Sequence, residues 1–430
     1  MPQFLTLLPP DEARAILLSH LAGPLPDSVS MDSSLALGRV LAEDILAPHP
    51  LPEFPRSTVD GYAVRAADTF GASESLPAYL TLIGEIPMGA PADLVLAPGQ
   101  CALIHTGGML PSSADAVMML EYTQTARTSA ASANPESAGA SEIEISRAVA
   151  VGENVIQIGE DVRAGETVIP RGASLREAEI GGLMALGRTS VRVARKPRVG
   201  LISSGDEVVE PNQAAGPGQV RDVNTYTLSA VAARAGGEAV PYGIVRDDFE
   251  ALLSAARTAL AECDAVLITA GSSASTRDIT ADVIRKLGEP GVLVHGVAIR
   301  PGKPTILGVA DGKAVIGLPG NPVSALVNGW LFVAPVIEKL LGALPRPRPT
   351  VMARLTINLP SLAGREDWQP VKLLPSPEIG RGAGGEGMQA EPIFGKSNLI
   401  FTLARADGLV RVPPDATGLS AGEMVEVRLM

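Results

Sequence analysis

Ala314-Val-Ile-Gly-Leu-Pro-Gly-Asn-Pro-Val-Ser-Ala325 runs from one apolar stretch through a Pro/Gly turn into another. Ala314 to Leu318 is short and closed by a turn, as a buried strand is, whereas Val323 to Leu341 is long enough for a buried helix. A strand that turns directly into a helix is the repeating step of an α/β domain. The step recurs upstream at Val199 to Ser203, Thr225 to Ala235, Glu238 to Ile244, Phe249 to Ala261, Ala265 to Thr269 and Ile279 to Leu287. This alternation predicts a parallel-type sheet with helices on both faces across residues 196–342. In such sheets ligands bind beyond the carboxyl ends of the strands, where Ser204-Gly205-Asp206-Glu207 and the 269–278 loop fall.

Just upstream, Ile299-Arg-Pro-Gly-Lys-Pro-Thr305 supplies a second rigid turn with two cations. Pro301, Pro304, Pro319 and Pro322 fix the backbone, Gly302 and Gly320 let it approach a ligand, and Arg300 and Lys303 bring positive charge. With helix-start amides near Asn321, the combination suits a bound anion. The same residues also read as two structural turns flanking a strand. Arginine is about four times as frequent as lysine in this chain, so a lysine at 303 points to a compact point charge.

Outward from this core, 430 residues imply roughly three domains. Apolar positions at helical spacing over 11–22 predict one helix, and Ser33 to Asp44, capped by Asp32, predicts a second. Residues 48–144 read as an inserted β module with runs at Ala78 to Ile86, Gln100 to Ile104 and Ala116 to Leu120. Its low-complexity stretch from Ala126 to Ser141 reads as a hairpin tip. Residues 1–47 and 145–195 form a helical and β connecting domain, with a helix from Leu175 to Leu186 ended by Gly187. Beyond Pro345, runs at Val351 to Ile357, Gln369 to Leu374, Leu409 to Val412 and Met424 to Leu429 predict a C-terminal β-barrel over 343–430, with a glycine-rich stretch at 380–387. The fold class is therefore multidomain α/β plus β.

With 46% hydrophobic residues but no unbroken apolar run of about 18 residues, the sequence reads as soluble and without a membrane span. Its first residues lack the basic and apolar regions of a signal peptide. Two distant cysteines, Cys101 and Cys263, suit a reducing cytoplasm, and a net charge of −12 speaks against nucleic acid as partner. Candidate chemistry is acidic. Asp60, Asp161, Glu207, Asp222, Asp247, Asp248 and Asp278 sit at loop positions where carboxylates ligate Mg²⁺, or else cap helices and turns. The nucleotide-loop, dinucleotide-turn, zinc-protease and serine-hydrolase motifs are all absent.

Seven segments in order carry a resemblance: Ser57-Thr-Val-Asp-Gly-Tyr-Ala63; Thr106-Gly-Gly108 with Leu110-Pro111 and Ala114-Asp-Ala-Val117; Gly159-Glu-Asp-Val162; Ser204-Gly-Asp-Glu207; Asp222-Val-Asn224; Arg300-Pro-Gly-Lys-Pro304; and Gly317-Leu-Pro-Gly-Asn-Pro-Val-Ser324. Together, over nearly the whole chain, they resemble the molybdopterin molybdenumtransferases of the MoeA type, which are similar to the C-terminal domain of gephyrin. The resemblance implies insertion of molybdenum from molybdate into adenylylated molybdopterin, with release of AMP and a requirement for Mg²⁺. It implies a cytoplasmic homodimer whose active site joins the molybdopterin-binding α/β domain of one subunit to the inserted module of the other, and contact with a molybdopterin adenylyltransferase. By the same resemblance Asp60, Asp161, Glu207, Asp247, Asp278 and Lys303 are the catalytic set, with Asp60, Glu207 and Asp278 toward the metal. Thr106, Ser204, Gly205, Arg300, Pro301, Gly302, Asn321, Pro322, Ser324, Arg365 and Ser397 are the implied substrate contacts.

Three positions depart from the family pattern. The loop before Asp278 is one residue shorter and carries hydroxyls in place of glycine, Arg300 stands where many members have lysine, and Ser204 replaces a common threonine. A molybdopterin adenylyltransferase-like enzyme and a non-catalytic pterin-binding scaffold are the alternative functions, and tungstate is the alternative metal oxyanion.

Overall fold

A computed structural model describes residues 7–128, 141–270, 274–375 and 387–430, and within them all side chains but those of 127, 128 and 274–278. Most of the low-complexity stretch from Ala126 to Ser141, the 271–273 loop and most of the glycine-rich stretch at 380–387 lie outside the described residues. The chain divides into two compact units. One comprises residues 1–43, 172–180 and 190–430, and the other comprises 44–171 and 181–189.

In the larger unit the predicted alternation is observed. β1 (Arg198–Ser204), α1 (Asn224–Arg234), β2 (Glu238–Val245), α2 (Phe249–Glu262), β3 (Ala265–Ala270), α3 (Ala274–Leu287), β4 (Pro290–His295), β5 (Ile299–Arg300), β6 (Ile306–Ala310) and β7 (Lys313–Pro319) follow in order. The sheet order is β2-β1-β3-β7-β6-β4. β2, β1, β3 and β7 are mutually parallel, but β6 pairs antiparallel with β7 and β4 antiparallel with β6. The sheet is therefore mixed. Neither edge strand stands out in the sequence, because Pro290 and Gly291 open β4 and Gly308 interrupts β6, residues that normally punctuate a chain.

Both faces of this sheet are buried, as its continuous apolar strands require. Ile202, Val266, Ile268 and Val315 pack on one side with Leu252, Ala256 and Ile284, while Leu201, Leu267 and Ile316 pack on the other with Leu228, Phe332 and Ile337. The helix after β7 runs as α4 (Pro322–Asn328), a wider π turn (Gly329–Val333) and α5 (Ala334–Leu341). Pro335 explains the widening, since a proline removes one helical N–H and pushes on the carbonyl of the preceding turn. By length and composition this helix is apolar enough to cross a bilayer, but most of it is buried in the core.

The barrel is built from β8 (Thr350–Leu355), β9 (Glu366–Pro375), β10 (Met388–Pro392), β11 (Gly408–Val412) and β12 (Met424–Leu429). It closes through the order β9-β10-β8-β12-β11 and the additional β9–β11 pairing. Alternate residues Ala353, Leu355, Val371, Val410, Val412, Val425 and Val427 fill its interior. Short β5 joins β9 in parallel, Arg300 opposite Asp367, and so ties the 300–304 loop to the barrel.

The predicted helix over Ser33 to Asp44 is corrected. Only a single turn, Ser33–Leu35, forms, with the Asp32 carboxylate accepting from Ser34 N at 2.8 Å. Gly38 then adopts a φ of 73° and the chain bridges to Ser174 and Val193 through Val40 and Leu41. Extended pairing wins there over helical spacing.

In the smaller unit, one sheet holds Ala116–Met119, Gly61–Val64, Gln100–Ile104, Ala78–Glu85, Ser141–Ile145 and Thr123–Thr128 in that spatial order. Tyr62, Leu80, Cys101, Met118 and Ile143 pack on one face, and Ala63, Ile86, Ala102, Ile104 and Val117 on the other. Both cysteines of the chain are free and buried, and burial pushes the Cys101 thiol up to about 12.

Candidate functional site

The parallel register brings the ends of β1, β3 and β7 to one edge, since Ser203 pairs with Thr269 and Thr269 with Leu318. Ser204 closes β1 and is buried, and its hydroxyl donates to Asp247 Oδ1 at 2.7 Å. Gly205 follows, with its N–H on Val245 O at 3.2 Å. Glu207 lies exposed in the next turn, where its carbonyl accepts from Val220 N at 2.8 Å. Two of the acids considered above take structural roles. Asp222 accepts from Thr225 N at 3.1 Å and Asp248 caps α2 through Ala251 N at 2.9 Å. Asp278 falls within α3, but its side chain lies outside the described residues.

The two Pro/Gly turns converge with the barrel on one cleft of about 980 Å³. Arg300, Pro301, Gly302, Lys303, Asn321, Ser324, Arg365 and Ser397, eight of the residues read from the sequence, line it together. Four cationic side chains among the described lining residues, Arg300, Lys303, Arg365 and Lys396, face a single carboxylate, Asp367. Arg365 reaches Asp367 as a fork, Nε to Oδ1 at 2.8 Å and Nη2 to Oδ2 at 3.3 Å, and Arg300 Nη1 stands 3.4 Å from the same Oδ2. Asp367 is buried, so it neutralises part of that charge and fixes the Arg365 guanidinium through two bonds, while Arg300 touches it through one long contact. Lys303 is exposed and has no ion pair or side-chain hydrogen bond among the described residues. An oxyanion entering this cleft meets one guanidinium held by Asp367, a second that touches the same carboxylate at one point, and two exposed ammonium groups.

The start of α4 contributes less than the sequence suggests. Pro322 carries no N–H, and Val323 N donates to Ser397 O at 3.0 Å. That bond instead anchors the 394–398 segment, and with it the Ser397 and Lys396 side chains, against the helix start. Asp367 and Lys396 escaped the sequence reading. The signal available was their place inside Gly364-Arg-Glu-Asp367 and Phe394-Gly-Lys-Ser397, but the pairing of Asp367 with Arg300 spans 67 residues.

In the smaller unit, Asp60 and Thr106 are brought together as a pair. Asp60 Oδ1 accepts from Thr106 N at 2.7 Å and from Thr106 Oγ1 at 3.1 Å. These bonds, the backbone one foremost, hold the Asp60 carboxyl below its usual range. His105 stands 3.7 Å from the same oxygen through Nδ1 and 3.1 Å from Glu85 through Nε2, a neighbour the sequence did not single out. Asp161 is exposed in the turn after Gly159, with its N–H on Leu51 O at 3.1 Å and no side-chain bond among the described residues. Among the described residues no three His, Cys, Asp or Glu side chains gather where they could hold a metal ion.

Fold and cleft define a class: a multidomain protein with an α/β ligand-binding domain, a β module and a barrel, equipped to hold oxyanions. Residues 8–187 match the MoeA N-terminal region (domains I and II), 200–339 the probable molybdopterin binding domain, and 352–430 the MoeA C-terminal region (domain IV). The chain belongs to the MoeA family. It is similar to a molybdopterin molybdenumtransferase of Nostoc sp., 33% identical with 93% of this chain and 88% of that protein covered. A molybdopterin molybdenumtransferase of Bacillus subtilis is 31% identical, with 99% and 94% covered. Among solved structures, the molybdopterin biosynthesis MoeA protein of Pyrococcus horikoshii superposes with a TM-score of 0.82 at 32% identity, covering 99% of this chain and 100% of that one.

Proposed function

We propose that this protein is a molybdopterin molybdenumtransferase, inserting molybdenum from molybdate into adenylylated molybdopterin with release of AMP, as a homodimer in the cytoplasm. The observation that carries the reading is the cleft in which Arg300, Lys303 and Arg365 meet Asn321, Ser324 and Ser397. Molybdate and the phosphates of the pterin substrate are anions, and a cationic cleft in a protein of net charge −12 is a local exception to the overall field. A guanidinium paired with Asp367 keeps further N–H donors for an oxyanion, and a lysine follows a phosphate as a point charge. No covalent nucleophile is required of the chain. Its residues bind, orient and stabilise charge.

A divalent cation would neutralise the diphosphate, with Asp60, Glu207 and Asp278 as the acids proposed for it. Asp60 and Glu207 belong to different units, and the described side chains form no ready cation site. The chain's own cations and amides bind and orient the anionic groups, and the divalent cation would add charge neutralisation at the diphosphate. A molybdopterin adenylyltransferase is the class of enzyme that supplies the substrate.

The test is incubation of the purified protein with adenylylated molybdopterin and molybdate, with and without Mg²⁺, scoring AMP and metal-loaded cofactor. Wild type should release AMP, while Asp60→Ala, Glu207→Ala and Lys303→Ala should each lose most activity with unchanged melting, because exposed loop residues contribute little to the core. Parallel runs with tungstate decide the metal. No AMP release from the wild type under any condition would remove the assignment.

A further inference from the structure

Behind the cleft lie two buried asparagines that no motif assigns to the site. Asn328, the last residue of α4, is fully buried, and its Nδ2 donates to Pro301 O at 3.3 Å and to Ser324 O at 2.8 Å. Asn224, the first residue of α1, is 7% exposed, and its Nδ2 donates to Gly320 O at 2.8 Å. Each amide thus holds a carbonyl in one of the two Pro/Gly turns. In both, Oδ1 is buried without a hydrogen-bond partner among the described residues. Each Nδ2 satisfies a turn carbonyl, but each buried Oδ1 is desolvated with nothing gained in return. What the Nδ2 groups do is hold the two turn carbonyls in place.

Peptide geometry gives the account. In a trans peptide the C=O and the following N–H point in opposite directions. Pinning Pro301 O onto Asn328 turns the Gly302 N–H away from that side chain, and pinning Gly320 O onto Asn224 does the same for the Asn321 N–H. Both Gly302 and Asn321 line the cleft, and neither N–H has an acceptor among the described residues. The loop also sits directly on Asn328: a Cβ at Gly302, whose φ is 110°, would come within 1.7 Å of Asn328 Nδ2. We propose that Asn328 and Asn224 are positioning residues, each locking one turn so that the Gly302 and Asn321 amides are presented together as backbone donors to the oxyanion. This inference rests on the reading of the cleft as the oxyanion site.

The experiment is calorimetric titration of the full-length protein with molybdate, together with steady-state kinetics in which molybdate is varied. Asn328→Leu and Asn224→Leu should each weaken molybdate binding and raise its KM by about tenfold or more, with a smaller change in kcat, because a misaimed donor loses most of its bond. Their melting temperatures should fall by only a few degrees, since leucine removes the unpaired Oδ1 but leaves the turn carbonyl without its donor. Asn328→Thr, which keeps one donor, should recover part of the affinity and carries the test if the leucine variant does not fold. Lys303→Met serves as reference. Weakened binding in Lys303→Met beside wild-type affinity in both leucine variants would overturn the positioning role alone. Wild-type affinity in Lys303→Met as well would overturn the reading of the cleft itself.

Discussion

Asp367 divides the charge of the cleft into two kinds. It holds Arg365 by two bonds and touches Arg300 by one, while Lys303 lies exposed on its loop at the end of a long flexible stem. A pinned guanidinium gives direction and a free ammonium gives strength at variable position, so the two should differ in how removal is felt. Replacing Lys303 by Met keeps much of the stem's packing and deletes the charge. Losing one charge-assisted hydrogen bond costs about 1.5–3 kcal/mol, roughly a ten- to hundredfold loss of affinity. Calorimetry with molybdate and with adenylylated molybdopterin separately should show that loss for the ligand Lys303 holds, and a shallower dependence of binding on salt. Unchanged affinity for both would reduce the 299–305 stretch to a structural turn. Lys303 and Arg300 were legible in the sequence because charge beside Pro and Gly is a local pattern. Asp367 and Asn328 were not, because their partners are 67 and 27 residues away and only the folded chain selects them.

Among the elements, legibility follows how locally each is determined. The parallel strands and most of their helices were read nearly to their ends, since long apolar runs with turn residues between them leave few alternatives, but the helix expected from Ile279 starts at Ala274, within the stretch read as a loop. The helix expected after Asp32 failed because helical spacing there is weak beside the backbone pairing offered by Val193 and Ser174. The helix expected over Leu175 to Leu186 forms from Glu177 to Ala185, and the structure adds a start signal the sequence reading did not use. Glu179 Oε2 accepts the Arg176 N–H at 2.8 Å while Ile180 N bonds the Arg176 carbonyl at 3.0 Å, as in half of a capping box. The Arg176 guanidinium, followed by its backbone N–H, pulls the Glu179 carboxyl down to about 2 from 4.5. A depressed folded pKa gives stability that is fully present above the unfolded value, near 4.5, and lost as pH falls through about 2. Glu179→Gln should therefore cost about 1 kcal/mol at neutral pH. Denaturant titrations of the two proteins should differ by that amount at pH 7 and converge toward pH 2. A difference that stays constant with pH would mean that packing, not the carboxylate, is responsible.

At the scale of the whole molecule, the candidate residues are split between two units: Asp60, Thr106 and Asp161 in one, and Ser204, Glu207, Asp247, Asp278, Lys303 and the cleft in the other. Sequence order alone carries no information about such a division, because spacing along a chain does not say which subunit completes which site. The homodimer proposed above makes the division a functional arrangement, with Asp60 of one subunit serving the cleft of the other. Two inactive variants then become complementary. A mixed dimer of Asp60→Ala and Lys303→Ala subunits has one site carrying both lesions and one carrying neither. Free exchange at equal concentrations makes about half of the dimers mixed, so about a quarter of the sites should regain activity, a mass-action estimate. Purified mixed dimers, selected with two different affinity tags, should reach about half of wild-type AMP release by the same reckoning. The measurement is AMP release before and after exchange, with the dimer population counted by native mass spectrometry. Verified mixed dimers without activity would place Asp60 and Lys303 in the site of a single subunit, and a protein that stays monomeric throughout would remove the shared site altogether.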